Sequence, residues 1–339
     1  MEMSSPVAFR VNDRSNVAEV RRAAGAHARA LGWSATACGE SELVATELAT
    51  NLVKHARDGV IALSCPRAVP GGELVLVAID RGPGIADLRR SLEDGYSTSG
   101  SPGTGLGAIK RLAHETDVIT GPEGTVMMAG LRNGAVAPGP AARRFAHLAG
   151  FELAKEGEAV SGDAWAYRWL DDRLAVFVCD GLGHGYEAAK VAERSVECFN
   201  EGRWGTPKEL LDLVNDALRP TRGAAAAVAV IDAGTRRLRY CGVGNIAAGV
   251  VGDGRVRHLV SHNGILGAAA KIAELEYAWP AGAVLLMHSD GLSARWQVQR
   301  WDGVWERHPA LIAGLAYRDL ARGTDDAVVV AVREHAAAA

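Results

Sequence analysis

The chain has 339 residues, 48% hydrophobic and 23% charged, with a formal net charge of −3. That balance suits a globular protein of about two domains and excludes the basic surface that a nucleic-acid binder needs. The longest apolar runs, such as AAAAVAVI at 224–231, are far too short to span a bilayer. The N-terminal stretch has no apolar h-region, so no signal peptide is expected. The five cysteines are scattered and lack CxxC spacing, which points to reduced thiols in a cytoplasm and no zinc site.

In chain order, NVAEVRRAAGAHARALG (16–32) predicts a helix that stops at Gly32, and SATACGESELVATELATNLVKHA (34–56) a longer one. ELVLVAID (73–80) has the short apolar look of a buried strand. GLGAIKRLAHETD (105–117) reads as a helix behind a glycine-rich loop, and EGTVMMAGL (123–131) as a closing strand. Residues 133–144, with two prolines, two glycines and no apolar period, form the expected linker. Beyond it, seven strands are expected from 163 onward, with two helices, 186–201 and 207–218, after the second strand. Many strands with a block of helices predict a sheet-on-sheet core with helices packed outside.

Acids mark the ends of these later strands. Asp163 opens one in SGDAW, Asp180 closes one in VCDGLGHG, Asp290 closes another in MHSDGL, and Asp325 and Asp326 open the last in GTDDAVVV. Any one of them is an ordinary turn cap. Four together match what hard divalent cations require, several carboxylates converging from different elements, whereas bare convergence of like charges is costly. The set resembles the SpoIIE-type branch of the metal-dependent PPM protein phosphatases over about 145–334. That resemblance implies an αββα sandwich with two Mn²⁺ or Mg²⁺ ions at one end. It also implies that Asp180 bridges both ions as the central catalytic ligand, that the Gly181 carbonyl ligates one, and that Asp163, Asp290 and Asp325 complete the cluster. Asp326 is the neighbour that sequence does not separate from Asp325. His184 is a candidate proton donor to the leaving group or a solvated turn residue. GVGNIAA (242–248), with Gly242, Gly244 and Asn245, resembles another turn of that family, and its simpler reading is a tight strand connection.

The first part carries its own constellation. Glu47 and Asn51 are four apart and share a helical face. The strand ending on Asp80 leads into Gly82 and Gly84, and Gly103, Gly105 and Gly107 precede or open a helix, where backbone N–H groups can approach phosphate. In this order the three elements resemble the GHKL ATP-binding fold, and within it the small serine kinases of the anti-sigma and RsbT type, over about 8–132. The resemblance implies an α/β sandwich with a mixed sheet and helices on one face. Asn51 would hold Mg²⁺ on ATP, Asp80 would bond the adenine amino group, Gly82 and Gly84 would shape the base pocket, and Gly103, Gly105 and Gly107 would cover the phosphates. Glu47 would be the general base toward a protein Ser or Thr. No Walker A pattern and no separate phosphoacceptor helix is present in the sequence.

The expected protein is thus α+β. A GHKL ATP-binding domain (8–132), a linker (133–144) and a PPM phosphatase domain (145–334) are followed by a tail (335–339). The implied partner is a STAS-domain protein of the anti-anti-sigma or stressosome type, phosphorylated by one half and dephosphorylated by the other, with a sigma-factor pathway protein as a further candidate. No nucleic acid and no membrane is expected. The alternatives keep the phosphatase and make the ATP-binding half a regulatory or partner-binding module without kinase activity.

Overall fold

The structure, a computed structural model, describes residues 8–65, 72–91, 105–134, 145–170, 172–252 and 254–334. The chain forms two compact units. One comprises Met1–Gly139 with Arg307–Arg318, the other Pro140–Glu306 with Asp319–Ala339.

The first unit runs β1 (Ala8–Arg10), α1 (Arg14–Ala30), α2 (Ala35–His55), β2 (Val60–Ser64), β3 (Glu73–Ile79), α3 (Leu88–Ser91), α4 (Gly105–Leu112), β4 (Glu115–Gly121) and β5 (Gly124–Arg132). Asp13 starts α1 with a capping box, and the Ser34 hydroxyl accepts from the Ala37 N–H to start α2. The sheet order is β1-β2-β3-β5-β4. Every pairing within the described residues is antiparallel rather than mixed, because β2–β3 and β4–β5 are direct antiparallel neighbours and the α1–α2 pair returns the chain beside β1. α4 stops at Leu112, short of the expected 117, because Glu115–Asp117 pair instead with β5 from Glu115↔Gly130 onward.

Strand β3 is buried along its whole length. Leu74, Leu76 and Ala78 share one core with Val44, Leu48 and Leu52 of α2. The alternate residues Val75, Val77 and Ile79 are equally buried. Their face is met by the helix Pro309–Leu320, whose Gly314 lies so close that a Cβ there would sit 2.7 Å from Val126 Cγ1 and 3.0 Å from Val77 Cγ1. Arg307 pairs with Asp117, and Arg318 donates to the Gly124 carbonyl at 3.2 Å. A strand apolar on both faces needs cover on both, and here the second cover comes from residues almost 180 positions further along the sequence than the strand's nearest neighbour β5.

The second unit runs β6 (Phe145–Leu153), β7 (Asp163–Leu170), β8 (Arg173–Gly181), α5 (Tyr186–Glu201), α6 (Pro207–Leu218), β9 (Ala224–Asp232), β10 (Arg237–Val243), β11 (Ala247–Gly252), β12 (Arg255–His258), β13 (Leu275–Ala278), β14 (Val284–His288) and β15 (Ala327–Glu334), while α7 (Pro309–Leu320, the helix just described), between β14 and β15 in sequence, belongs almost wholly to the first unit. Two five-stranded antiparallel sheets result, ordered β13-β10-β9-β8-β7 and β12-β11-β14-β15-β6. Alternation along β8 explains its continuous apolar sequence. Leu174, Val176 and Val178 enter the core with Leu285, Met287, Val328 and Val330 of the other sheet. Ala175, Phe177 and Cys179 pack outward with Phe199 of α5 and Leu211 and Val214 of α6.

Candidate functional site

The acids at the strand ends meet at one end of this sandwich. Asp163 and Asp180 are Cα partners across β7 and β8. Asp290 follows β14 and Asp325 precedes β15, two neighbouring strands of the opposite sheet. Burial, then the charges of Asp290 and Asp325, push the Asp180 carboxyl up to about 7. Burial and then Asp180 push Asp163 upward too. Asp163 is 3% exposed and receives the Ser289 hydroxyl hydrogen at 2.5 Å, a bond that joins the two sheets at this end. Asp326 behaves differently from its neighbour. Its two oxygens accept the Lys155 N–H at 2.7 Å and the Gly162 N–H at 2.8 Å, whereas Asp325 is exposed and, among the described residues, accepts only the Asp326 N–H. That division makes Asp326 the clamp on the chain entering β7 and leaves Asp325 facing solvent.

Gly181 has no room for a side chain: a Cβ would lie 2.5 Å from the Ala188 carbonyl oxygen. Its N–H donates to the Gly162 carbonyl at 2.9 Å. Asn245, in the turn between β10 and β11, donates its amide to Asp290 at 2.8 Å. His184 Nδ1 lies 2.6 Å from Glu158 Oε1, so the histidine is held by a carboxylate at this loop. Glu152 Oε2 is buried without a hydrogen-bond partner among the described residues, and burial with Asp326 pushes that carboxyl up to about 8. After burial, acids therefore dominate the surroundings of Asp180. A donor set of hard carboxylate oxygens that repel one another fits divalent cations of the Mg²⁺ or Mn²⁺ class.

In the first unit, α4 begins beside the polar face of α2. A Cβ on Gly105 would sit 2.7 Å from Glu47 Oε2 and 3.8 Å from Asn51 Oδ1. Asp80 directly follows β3, and its Oδ1 accepts the Gly82 N–H at 2.6 Å. Burial raises the Asp80 carboxyl above its ordinary value. Gly82 packs on the end of α2, where a Cβ would lie 3.1 Å from the His55 carbonyl oxygen. Gly84 has φ +77° and would clash with the Gly121 carbonyl at 2.3 Å if it carried a side chain, so glycine is required there. Gly107 is buried within α4. Gly103 lies outside the described residues. A separate group, Glu73, His114 and Glu115, brings ligand-type atoms within 4.8 Å of one another. Glu73 there already lies 3.0 Å from His114 Nε2 and pairs with Arg132 at 3.3 Å, which makes it a hydrogen-bonded group with its own cationic partner.

Comparison with known proteins finds a match in each part of the chain. Residues 11–129 match the family described as "Histidine kinase-like ATPase domain", and residues 170–336 the family "Stage II sporulation protein E (SpoIIE)". The chain is a fusion of an RsbT-like ATPase domain and a SpoIIE-type PPM phosphatase domain. It is 39% identical over 90 residues to the serine/threonine-protein kinase RsbT of Bacillus subtilis (strain 168), covering 26% of this chain and 66% of the kinase. It is 26% identical over 145 residues to the phosphoserine phosphatase RsbX of the same organism, covering 42% of this chain and 73% of the phosphatase. A solved structure described as "The bacterial stressosome: a modular system that has been adapted to control secondary messenger signaling" aligns at 26% identity and a TM-score of 0.50, over 55% of this chain and 98% of that one.

The phosphatase domain holds several groups that the sequence reading did not single out for the site. Ser289, Glu152 and Glu158 carry no motif of their own and are recruited by position. Asn245 stands in the turn that resembles one of the family's and reads more simply as a strand connection; the structure has it connect β10 to β11 and also bond Asp290. Ser289 was legible in hindsight as the residue between a buried strand and its terminal acid. The helix Pro309–Leu320, which covers the second face of the ATPase sheet, lies far beyond the match to that domain, which ends at 129. No helix among the described residues is long and apolar enough to cross a membrane.

Proposed function

We propose that this protein is a bifunctional partner-switching regulator, in which the RsbT-like half phosphorylates, and the SpoIIE-type half dephosphorylates, Ser or Thr of a STAS-domain protein of the anti-anti-sigma or stressosome type. The observation that carries the phosphatase half is the convergence of Asp163, Asp180, Asp290 and Asp325 from two sheets. The names of the two relatives, a Ser/Thr kinase and a phosphoserine phosphatase, support the pairing of activities.

In the phosphatase half, Asp180 and the Gly181 carbonyl, with Asp163, Asp290 and Asp325, would hold two Mn²⁺ or Mg²⁺ ions. Bound, those ions supply Lewis acidity toward phosphoryl oxygens and acidify an attacking water. Ser289 and Asn245 orient Asp163 and Asp290, as outer-shell partners of ligands do. Asp326 fixes the chain that delivers Asp163. His184, held by Glu158, donates a proton to the departing serine oxygen. In the kinase half, Asn51 would hold Mg²⁺ with ATP, Asp80 would accept from the adenine amino group, and Gly105 leaves space beside Glu47 for a hydroxyl to approach. Glu47 takes that hydroxyl's proton.

The test follows the phosphorylated fraction of a purified STAS-domain partner over time, with ATP and Mn²⁺, by intact mass. Glu47→Ala should abolish phosphorylation and leave dephosphorylation intact. Asp290→Asn should let phosphorylated partner accumulate. Equal accumulation in Asp290→Asn and the unaltered chain would show that the two halves do not share that substrate, and Glu47→Ala phosphorylating as fast as the unaltered chain would make the ATP-binding half a kinase by another base or not at all.

A further inference from the structure

Arg222 lies on the turn between α6 and β9, at the edge of the loop that follows Asp180. Its guanidinium Nη1 is 3.1 Å from the point where Gly183 would carry a Cβ, so the glycine leaves room for it. Among the described residues Arg222 makes no hydrogen bond and no ion pair, and it is exposed. The turn beneath it is nevertheless firmly built. Thr221 N–H donates to the Leu218 carbonyl at 2.8 Å, Gly223 N–H to the Thr221 hydroxyl at 3.0 Å, and Leu182 N–H to the Gly223 carbonyl at 3.0 Å. The last bond ties the arginine's turn to the strand that ends on the metal-binding acids. Arg222 is a minor influence on the exposed Glu187, whose carboxyl Lys190 chiefly lowers, and no acid among the described residues bonds its guanidinium, which rises from a fixed backbone beside Gly183, three residues past Asp180.

Two exposed apolar side chains flank the same turn. Leu182 and Ile265 are each 38% exposed. Gly223 lies between them: it accepts from Leu182, and a Cβ on it would meet Ile265 Cγ2 at 2.6 Å. Gly223 has φ +86° and its Cβ would also strike the Leu266 carbonyl at 2.3 Å, so this close seat is available only to glycine. Ile265 is positioned by the bridge of its neighbour Leu266 with Ala224. One cation and two apolar groups thus stand side by side at the mouth of the candidate centre. A single guanidinium on a fixed turn matches a phosphoryl dianion, to which it can offer two parallel N–H donors. Apolar groups beside it match side chains that flank the phosphorylated residue.

We infer that Arg222, Leu182 and Ile265 form the substrate-recognition rim of the phosphatase domain, Arg222 binding the phosphoryl group of a phosphoserine or phosphothreonine segment and Leu182 and Ile265 gripping apolar residues beside it. The inference rests on the phosphatase reading above and adds the residues that select its substrate. Arg222 is a binding residue here, and its loss acts on KM more than on the metal-dependent chemistry.

The experiment uses the full chain with Mn²⁺ and three probes: p-nitrophenyl phosphate, a phosphoserine decapeptide with leucines flanking the phosphoserine, and the same peptide with glycines there. The unaltered chain should show a KM about fivefold lower for the leucine peptide than for the glycine one, the scale of partial burial of an aliphatic side chain. Leu182→Ser with Ile265→Ser should remove that difference and leave p-nitrophenyl phosphate hydrolysis unchanged. Arg222→Ala should raise KM about tenfold or more for all three probes with kcat and melting temperature little changed, and Arg222→Lys should recover part of the loss. Unchanged KM in Arg222→Ala for p-nitrophenyl phosphate overturns the phosphoryl contact, and a persistent preference for the leucine peptide in the double variant overturns the apolar rim. If the unaltered chain hydrolyses none of the probes, the phosphatase reading itself falls and this inference with it.

Discussion

Asp163 and Asp180 face each other as cross-strand partners on β7 and β8, two carboxylates where a paired sheet ordinarily places groups that attract. Neither carboxyl is relieved by a lysine or arginine among its strongest influences. Asp163 has the Ser289 hydroxyl, and the neighbourhood of Asp180 has the Asn245 amide and further acids. Such a pair is tolerable in a folded protein when something cationic joins it, or when one member keeps its proton.

The first prediction follows from that choice. In the metal-free protein both carboxyls titrate higher in the folded than in the unfolded chain. The folded state then retains protons that the unfolded state releases above about pH 4. Stability contributed by these protons is present at low pH and is lost as pH rises from about 4 to about 7, where Asp180 ionises. The metal-free chain should therefore melt lower at pH 8 than Asp180→Asn does, and the gap should narrow at pH 5 and close near pH 4. Saturating Mn²⁺ should raise the melting temperature of the unaltered chain at pH 8 and do little for Asp180→Asn, whose metal-dependent phosphatase activity should fall about 100-fold or more. Calorimetry at the two pH values decides it. A difference between the two proteins that is the same at pH 5 and pH 8 would remove the case for mutual repulsion.

The second prediction concerns the nucleotide. Mg²⁺-ATP should raise the melting temperature of the full chain, by mass action worth about 2.7 kcal/mol at a ligand concentration 100 times Kd. Gly105→Ala puts a methyl 2.7 Å from Glu47 Oε2, at the entrance between Glu47 and Asn51. The end of a glutamate can give way, so the fold should persist while the nucleotide-induced shift shrinks. Asp80→Asn should shrink it as well, by altering the acceptor beside Gly82. A shift of undiminished size in both variants, read by differential scanning fluorimetry, would move the nucleotide elsewhere.

The third prediction addresses the helix that completes the ATPase sheet. Gly314→Val adds bulk where even a Cβ meets Val126 and Val77 at 2.7 and 3.0 Å. Overpacking of this kind costs about 1–3 kcal/mol. A fragment of residues 1–139 lacks the helix altogether and leaves the buried face of Val75, Val77, Ile79, Val126 and Met128 uncovered. It should be aggregation-prone on its own, and adding a peptide of residues 305–322 should restore a cooperative transition. A soluble, cooperatively folding 1–139 fragment would show that the helix is dispensable to the sheet.

Much of this molecule was legible in its residues before any coordinates. Apolar runs ending on acids, a four-residue step between Glu47 and Asn51, and glycines ahead of a helix are local patterns, and local patterns survive without knowledge of the fold because they arise from backbone geometry and side-chain period. Strand β8, helices α1, α2, α5 and α6, and the acids 163, 180, 290 and 325 belong to this class. The end of α4 did not, since its last residues are as compatible with helix as with strand and β5 decides between them.

What tertiary structure alone decided are relations between distant residues. Sequence offers Asp325 and Asp326 as equals; only the arrival of Lys155 and Gly162 beside one of them makes Asp326 a backbone clamp and leaves Asp325 open. Ser289 meets Asp163 and Asn245 meets Asp290 because two sheets face each other, a fact that no period of 2 or 3.6 encodes. Arg222 is an unremarked arginine in a turn until Gly183 is seen beneath it. The physical reason is common to all of these. Composition and spacing determine which face a residue takes within its own element, whereas the partner that satisfies its charge or hydrogen bond is chosen by packing between elements.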